Sequence, residues 1–430
     1  MSGGTTATRE RASVSTGRAQ QAVLAIAAFR TDLDGRTLAA GVLAVYFLTV
    51  GLPRLLWGAN IWPRLGVPAA PSLFFDTRVV TAGLECRRLG LDPLTSNPCD
   101  PADRALNYPR VWLLLRWLGL NQSHTDLLAL LFIMFFLVAV YFLVGRISLG
   151  EGALVALALC SPSVMFGIER GNTDILVFAM LALAVVIWRR GSVRDGVVSP
   201  VVVLLAAVLK IFPGFGLPAY LFLRNRRATI AALACVAVLV VYIFIVRADI
   251  EAITRATPQG QYNSYGARIL PGIFYHHVVP DRWQGGALTK QALAVVPLLI
   301  AAPIVWIQGR RRRPEPDPQS VGWRRLAFYL GSLLFLGTFA SGNNWDYRLV
   351  FLLLVLPQLF TWIRDPSPDR RGGLAAFATI AVVILLWIGA LSRWLAAADE
   401  IATWATAGLL LALLSASIPS PRELWNPTDA

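Results

Sequence analysis

The stretch VVSPVVVLLAAVLKIFPGFGLPAYLFLRNRR, residues 197–227, decides how the chain is threaded. Its apolar part is longer than the ~20 residues a helix needs to cross a bilayer. Yet Lys210, Pro213, Gly214, Gly216 and Pro218 stand in its middle. One straight helix would bury Lys210 near mid-bilayer. Pro and Gly break a helix, and a membrane tolerates the break only beside a protein-lined cavity. The stretch is therefore expected to be two short helices that go out and come back, with Lys210 at the corner.

Ten further apolar runs lie at about 37–57, 126–145, 151–168, 174–189, 228–247, 291–308, 325–341, 347–363, 373–392 and 401–418. Only 15% of the 430 residues are charged, against about a quarter in soluble domains. An all-α polytopic integral membrane protein of about 11–12 transmembrane helices is expected. Residues 1–35 read as a disordered cytoplasmic N-terminus without a signal peptide, 36–418 as a single transmembrane domain, and 419–430 as a cytoplasmic tail.

The formal charge is +14, and Lys210 and Lys290 are the only lysines. The arginines cluster in short loops between apolar runs, which is a topology signal and not a nucleic-acid footprint. Once 197–223 is counted as out and back, Arg9, Arg11, Arg18, Arg30, Arg36, Arg146 and the groups at 189–195, 224–227, 309–316 and 364–371 share one side. The positive-inside bias makes that side cytoplasmic, in a plasma (inner) membrane. The other side receives a first long loop at 58–125, IERGNTD at 168–174, the Lys210 corner, a second long loop at 248–290, SGNNWDYR at 341–348 and SRWLAAADE at 392–400. A site built between helices on the extracytoplasmic face is the expectation.

Cys86 and Cys99 both fall in the first outer loop, where a disulfide is expected; the alternative is two separate thiols. Cys160 and Cys235 lie in apolar runs as core residues. No metal motif, P-loop or dinucleotide fingerprint is present, and adjacent His276 and His277 diverge from a shared ion. Cofactors are expected to be none.

Asp76 follows an aromatic pair and opens a helical pattern. It reads either as an N-terminal helix acid or as a carboxylate base at the interface. NYPRVWLLLRWLGL, 107–120, reads as an interfacial helix or an aromatic belt. Arg170 can pair with Glu169 or Asp174, Asn172 or Thr173 can cap the next helix, Lys210 can snorkel, and Arg348 can pair with Asp346.

FDTRVVTAGLECRRLGLDPL at 75–94, NYPRVW at 107–112, ERGNTD at 169–174 and LKIFPGFGLPAYLFLRNRR at 209–227 resemble, in that order, the GT-C membrane glycosyltransferases. Glycosyltransferase family 87, with its polyprenol-phosphate-mannose-dependent mannosyltransferases, is the group they resemble most. The resemblance covers about 70–230, with weaker likeness at NSYGA (263–267) and WDYRLVFLLLVLPQL (345–359). Leu94 and Arg110 depart from the family's turn and Pro-Pro elements.

The resemblance implies a GT-C-like bundle that transfers a hexose, mannose foremost, from a polyprenyl-phosphate donor to a lipid-linked or glycan acceptor. Asp76 would be the base, and Lys210, Arg170 and Arg348 would bind the donor phosphate. Glu169, Asn172, Asp174, Asn107, Tyr108, Asn263, Tyr265, His276, His277 and Asp346 would line the substrate. With no acidic pair beside Asp76, transfer is expected to be metal-independent. A flippase of lipid-linked sugars would use the same cations without a base, and a polysaccharide polymerase would take a diphosphate-linked oligosaccharide.

Overall fold

The computed structural model describes residues 34–258, 260, 262–272, 287–311, 322–365 and 371–419. Over these residues every apolar run of the sequence is helical, and the sheet is a single two-residue ladder. Five helices are long and apolar enough to cross a membrane, or seven if each of two bent pairs is one span. The chain is an all-α integral membrane protein. The remaining runs are shorter or more polar by that measure, and the most central are sheathed by other helices. They need not match the bilayer because protein, not lipid, surrounds them.

Helix α1 (Gly35–Trp57) is continuous through a π turn ahead of Pro53. The first long loop then supplies α2 (Phe75–Arg88) and a 3-10 helix at Arg110–Leu118. The latter turns Leu114, Trp117 and Leu118 outward and buries Trp112, whose indole N–H donates to the Leu209 carbonyl at 3.0 Å. Cys86 and Cys99 form a disulfide, with Cα atoms 5.7 Å apart.

Helix α3 (Thr125–Val144) returns through the bundle. The next run is bent by 53° between α4 (Leu149–Leu159) and α5 (Pro162–Glu169). The cause is local: the Ser161 hydroxyl accepts from the Val164 N–H and Pro162 opens the new helix, a start signal placed inside an apolar run. Helix α6 (Thr173–Arg189) follows and packs on α3 and on α7 (Asp195–Lys210).

After Lys210 the chain does go out and back. The 3-10 helix Phe212–Phe222 runs beside α7, and its Tyr220 hydroxyl lies 2.6 Å from the Ser199 hydroxyl. The break falls at Ile211, with a φ of 56°, and not at one of the glycines. A left-handed β-branched residue costs roughly 1–3 kcal/mol, which such positions bear when their surroundings hold them.

Helices α8 (Arg226–Ile245), α9 (Arg247–Ala256), α10 (Ala287–Arg311) and α11 (Trp323–Ser341) continue the bundle. Ser264–Tyr265 pairs antiparallel with Asn344–Trp345, tying the second long loop to the segment after α11. A second bent pair, the 3-10 helix Asp346–Leu354 and α12 (Leu356–Arg364), then leads to α13 (Arg371–Ile388) and α14 (Ser392–Ser417).

The disulfide closes a short loop next to α2. Replacing Cys86 and Cys99 by Ser is expected to cost about 3 kcal/mol, the chain-entropy value for a loop of this size. Thermal unfolding of the purified protein in detergent should show a lower midpoint for the double variant, and reductant should produce the same drop in the wild type only.

Candidate active site

The site begins with a backbone joint. The first turn of α2 has donors that no intrahelical carbonyl can satisfy. The carbonyls that end α5 take them: Phe74 N–H donates to Glu169 at 3.0 Å and Asp76 N–H to Arg170 at 2.9 Å. The Thr77 hydroxyl adds a bond to the Gly171 carbonyl at 2.6 Å. Gly171 has a φ of 57°, and a Cβ there would lie 2.5 Å from the Thr77 hydroxyl oxygen. Thus the IERGNTD turn and the start of α2 are locked end to end.

That joint delivers Asp76 to Arg170. The guanidinium grips the carboxylate with both arms, Nε to Oδ2 at 2.8 Å and Nη2 to Oδ1 at 2.5 Å. The Asn172 amide donates to Oδ2 at 2.6 Å, and Arg104 Nη1 stands 3.7 Å from Oδ1. Burial alone would raise the Asp76 carboxyl. The Arg170 charge and hydrogen bonds, the Asn172 amide and Arg104 outweigh it and hold the group below its ordinary range.

Asn172 carries the network onward. Its Oδ1 caps α6 by accepting the Asp174 N–H at 2.8 Å, and it also accepts from Lys210 Nζ at 3.0 Å. Lys210 forms a 2.6 Å ion pair with Asp174, whose other oxygen lies 3.4 Å from Arg348 Nε. Arg348 also donates to the Asn344 side chain and lies over the Phe212 ring, 4.4 Å from its centroid. Two cations therefore share one carboxylate, leaving positive charge in excess at the Lys210–Arg348 end. The Tyr108 ring is 5.0 Å from Lys210 Nζ; burial, then the Asp76 charge, pushes its hydroxyl well above its ordinary pKa, so it is a neutral donor.

The structure thus brings Asp76, Arg170, Asn172, Asp174, Lys210 and Arg348 together, with Tyr108 against Lys210 and half-buried Asn107 beside it. Others sit apart from this line. Glu169 is buried and accepts the Ala70 N–H at 3.1 Å, fastening the loop ahead of α2. Tyr265 is buried against Phe335 with its hydroxyl 2.8 Å from that of Thr338. Asn263 has its carbonyl on the Asp346 N–H at 2.9 Å. Asp346 is buried, and Arg348 pairs with Asp174 in its place. His276 and His277 lie outside the described residues. Among the described residues no His, Cys, Asp or Glu cluster could hold a metal ion.

Sequence reasoning missed Arg104 and Asn344. Arg104 is held on Asp100 by two bonds of 2.8 and 2.9 Å, and its guanidinium lies 3.4 Å from the Phe75 ring centroid. Its four-residue spacing from Asp100 was visible, but nothing local ties it to Asp76.

Residues 111–320 match the model of glycosyltransferase family 87, just under half of the chain. The matched region holds Arg170, Asn172, Asp174 and Lys210; Asp76 precedes it and Arg348 follows it. Neither a curated protein nor a solved structure matches the chain. The family match and the apolar helices mark a membrane glycosyltransferase.

Gly171→Ala should strain both the left-handed turn and the Thr77 contact, costing at least about 1 kcal/mol and lowering both the unfolding midpoint and transfer activity. The depressed Asp76 pKa gives a second expectation. Its stabilising contribution is present above the ordinary carboxylate value of about 4 and is lost as pH falls through the depressed folded value. Between pH 8 and 5 the difference in unfolding midpoint between wild type and Asp76→Asn should stay constant, and it should shrink below about pH 4.

Proposed function

We propose that this membrane glycosyltransferase moves a hexose, mannose foremost, from a polyprenyl-phosphate donor to a lipid-linked or cell-envelope glycan acceptor on the extracytoplasmic face. The observation that carries the reading is the Asn172 side chain. It touches a carboxylate suited to take a proton and a cation suited to receive a phosphate, brought from separate segments of the chain.

The acceptor hydroxyl attacks the anomeric carbon as the bond from that carbon to the phosphate oxygen breaks. The electron pair leaves with the phosphate, which gains negative charge. Lys210 and Arg348, sharing only Asp174, are placed to stabilise that charge, and Arg170 supports it from the other side. The proton passes to Asp76. A carboxylate has about four acceptor positions; Arg170 and Asn172 take three, leaving one on Oδ1 toward Arg104. A carboxylate so well satisfied is a weak base. It takes the proton late, once bonding to the anomeric carbon has acidified the hydroxyl.

The orientation rests on charge. Arg36, Arg146, Arg189 and Arg324 gather at one end of the bundle, around a shared cavity. By the positive-inside bias that end is cytoplasmic, and the Asp76–Lys210 end is outside, where lipid-phosphate sugars serve as donors in place of nucleotides.

Label transfer from synthetic polyprenyl-phosphate-mannose to membrane lipid extract tests the chemistry. Asp76→Asn should lower turnover by about 10²- to 10⁴-fold while donor affinity stays close to wild type. Lys210→Gln and Arg348→Gln should weaken donor binding itself. If Asp76→Asn transfers sugar normally, Asp76 is not the base. If the wild type moves the lipid across vesicles without transferring sugar, the protein is a carrier. The orientation has its own test: in intact cells an impermeant maleimide should label Ala59→Cys and not Ser192→Cys.

A further inference from the structure

A second polar centre lies at the arginine end. The guanidiniums of Arg36, Arg146, Arg189 and Arg324 border a cavity of about 400 Å³, with Gly145, Phe142 and Trp323. Two guanidiniums lie over the Trp323 ring: Arg189 is 4.9 Å and Arg324 4.8 Å from its centroid. Arg36 is neutralised by Asp34 at 2.6 Å. Nearby Glu151 is engaged by Arg364 at 2.8 Å. Among the described residues no carboxylate forms an ion pair with Arg146, Arg189 or Arg324. Three positive charges therefore converge, none in an ion pair with a described carboxylate; the one acid whose charge reaches Arg324, Glu151, is already paired with Arg364.

This centre is separate from the site above. Asp174 and Arg189 are at opposite ends of α6, about 22 Å apart at ~1.5 Å per residue. It also opens into apolar surface. A groove of about 330 Å³ between α1, α3 and α4 shares Arg36 and Phe142 with the arginine cavity. Small residues, Ala40 and Ala44 among them, form its α1 wall, and Leu43, Phe47 and Val138 add apolar bulk. Val42, Val45, Val138 and Phe142 beside it are exposed and so face lipid in a bilayer.

We propose that the two cavities together bind one anionic phospholipid, its phosphate among Arg146, Arg189 and Arg324 and an acyl chain in the groove between α1 and α3. The charge calls for an anion, and the continuous apolar groove, open sideways to the membrane, calls for one that carries a hydrocarbon chain. Basic pockets between transmembrane helices recognise lipid headgroups in this way. The bound lipid fills the gap between α1 and its neighbours and ties α1 to the bundle. The inference stands whether or not the sugar donor proposed above is correct.

Delipidated full-length protein in detergent would be titrated with phosphatidylglycerol, phosphatidylcholine or inorganic phosphate, following bound lipid by native mass spectrometry and the unfolding midpoint. Phosphatidylglycerol should bind and raise the midpoint. Arg146→Gln/Arg189→Gln should weaken it about tenfold or more, given the contribution of each basic residue near a lipid headgroup. Ala40→Trp, which fills the groove and keeps every arginine, should weaken it too, and Arg146→Lys/Arg189→Lys should retain most of it. Equal effects from phosphatidylcholine or from inorganic phosphate alone would overturn the proposal, as would unchanged phosphatidylglycerol binding in both the glutamine pair and Ala40→Trp.

Discussion

The clasp between the start of α2 and the end of α5 is the constraint on which the candidate site depends. A helix N-terminus with open donors meets a helix C-terminus with open acceptors, so each end satisfies the other. Because the joint is made by backbone, it holds Asp76 and Arg170 side by side through bonds that their side chains do not supply. The ion pair and the Asn172 amide then secure a carboxylate that burial would otherwise neutralise. Gly171 is the residue that lets the two backbones come that close.

A second constraint is the corner at Ile211. An apolar segment that crossed the membrane once would carry Lys210 into hydrocarbon, where a lone ammonium is costly. Reversal of the chain puts Lys210 at a helix end instead, within reach of Asp174 and Asn172. The left-handed Ile211 is held there by the 3-10 helix that packs back along α7. The surroundings that over-determine the backbone at Ile211 also fix the Lys210 side chain beside it.

The two ends of the bundle divide the charge differently. At one end cations and carboxylates are linked in a largely buried line, Arg104, Arg170, Lys210 and Arg348 around Asp76 and Asp174, with cations in excess. At the other, arginines collect with few acids. The first arrangement suits a reaction in which charge develops and must be met by groups already in place. The second suits a static anion.

Much of this was legible in the sequence. Hydropathy located the helical runs, since a bilayer needs apolar length and a helix to satisfy its backbone. Pro and Gly beside Lys210 announced the reversal, and arginine spacing sorted the loops into two sets. Pairing was not legible. Arg170 has Glu169 and Asp174 as sequence neighbours, yet binds Asp76 across 94 positions. Arg348 has Asp346 two residues away, yet turns to Asp174. Arg104 joined the site unannounced. Local spacing states which partners a charge could reach along its own element, but the choice falls to whichever carboxylate the tertiary structure brings against it. That is decided only when loops from distant parts of the chain close on the same end of the bundle.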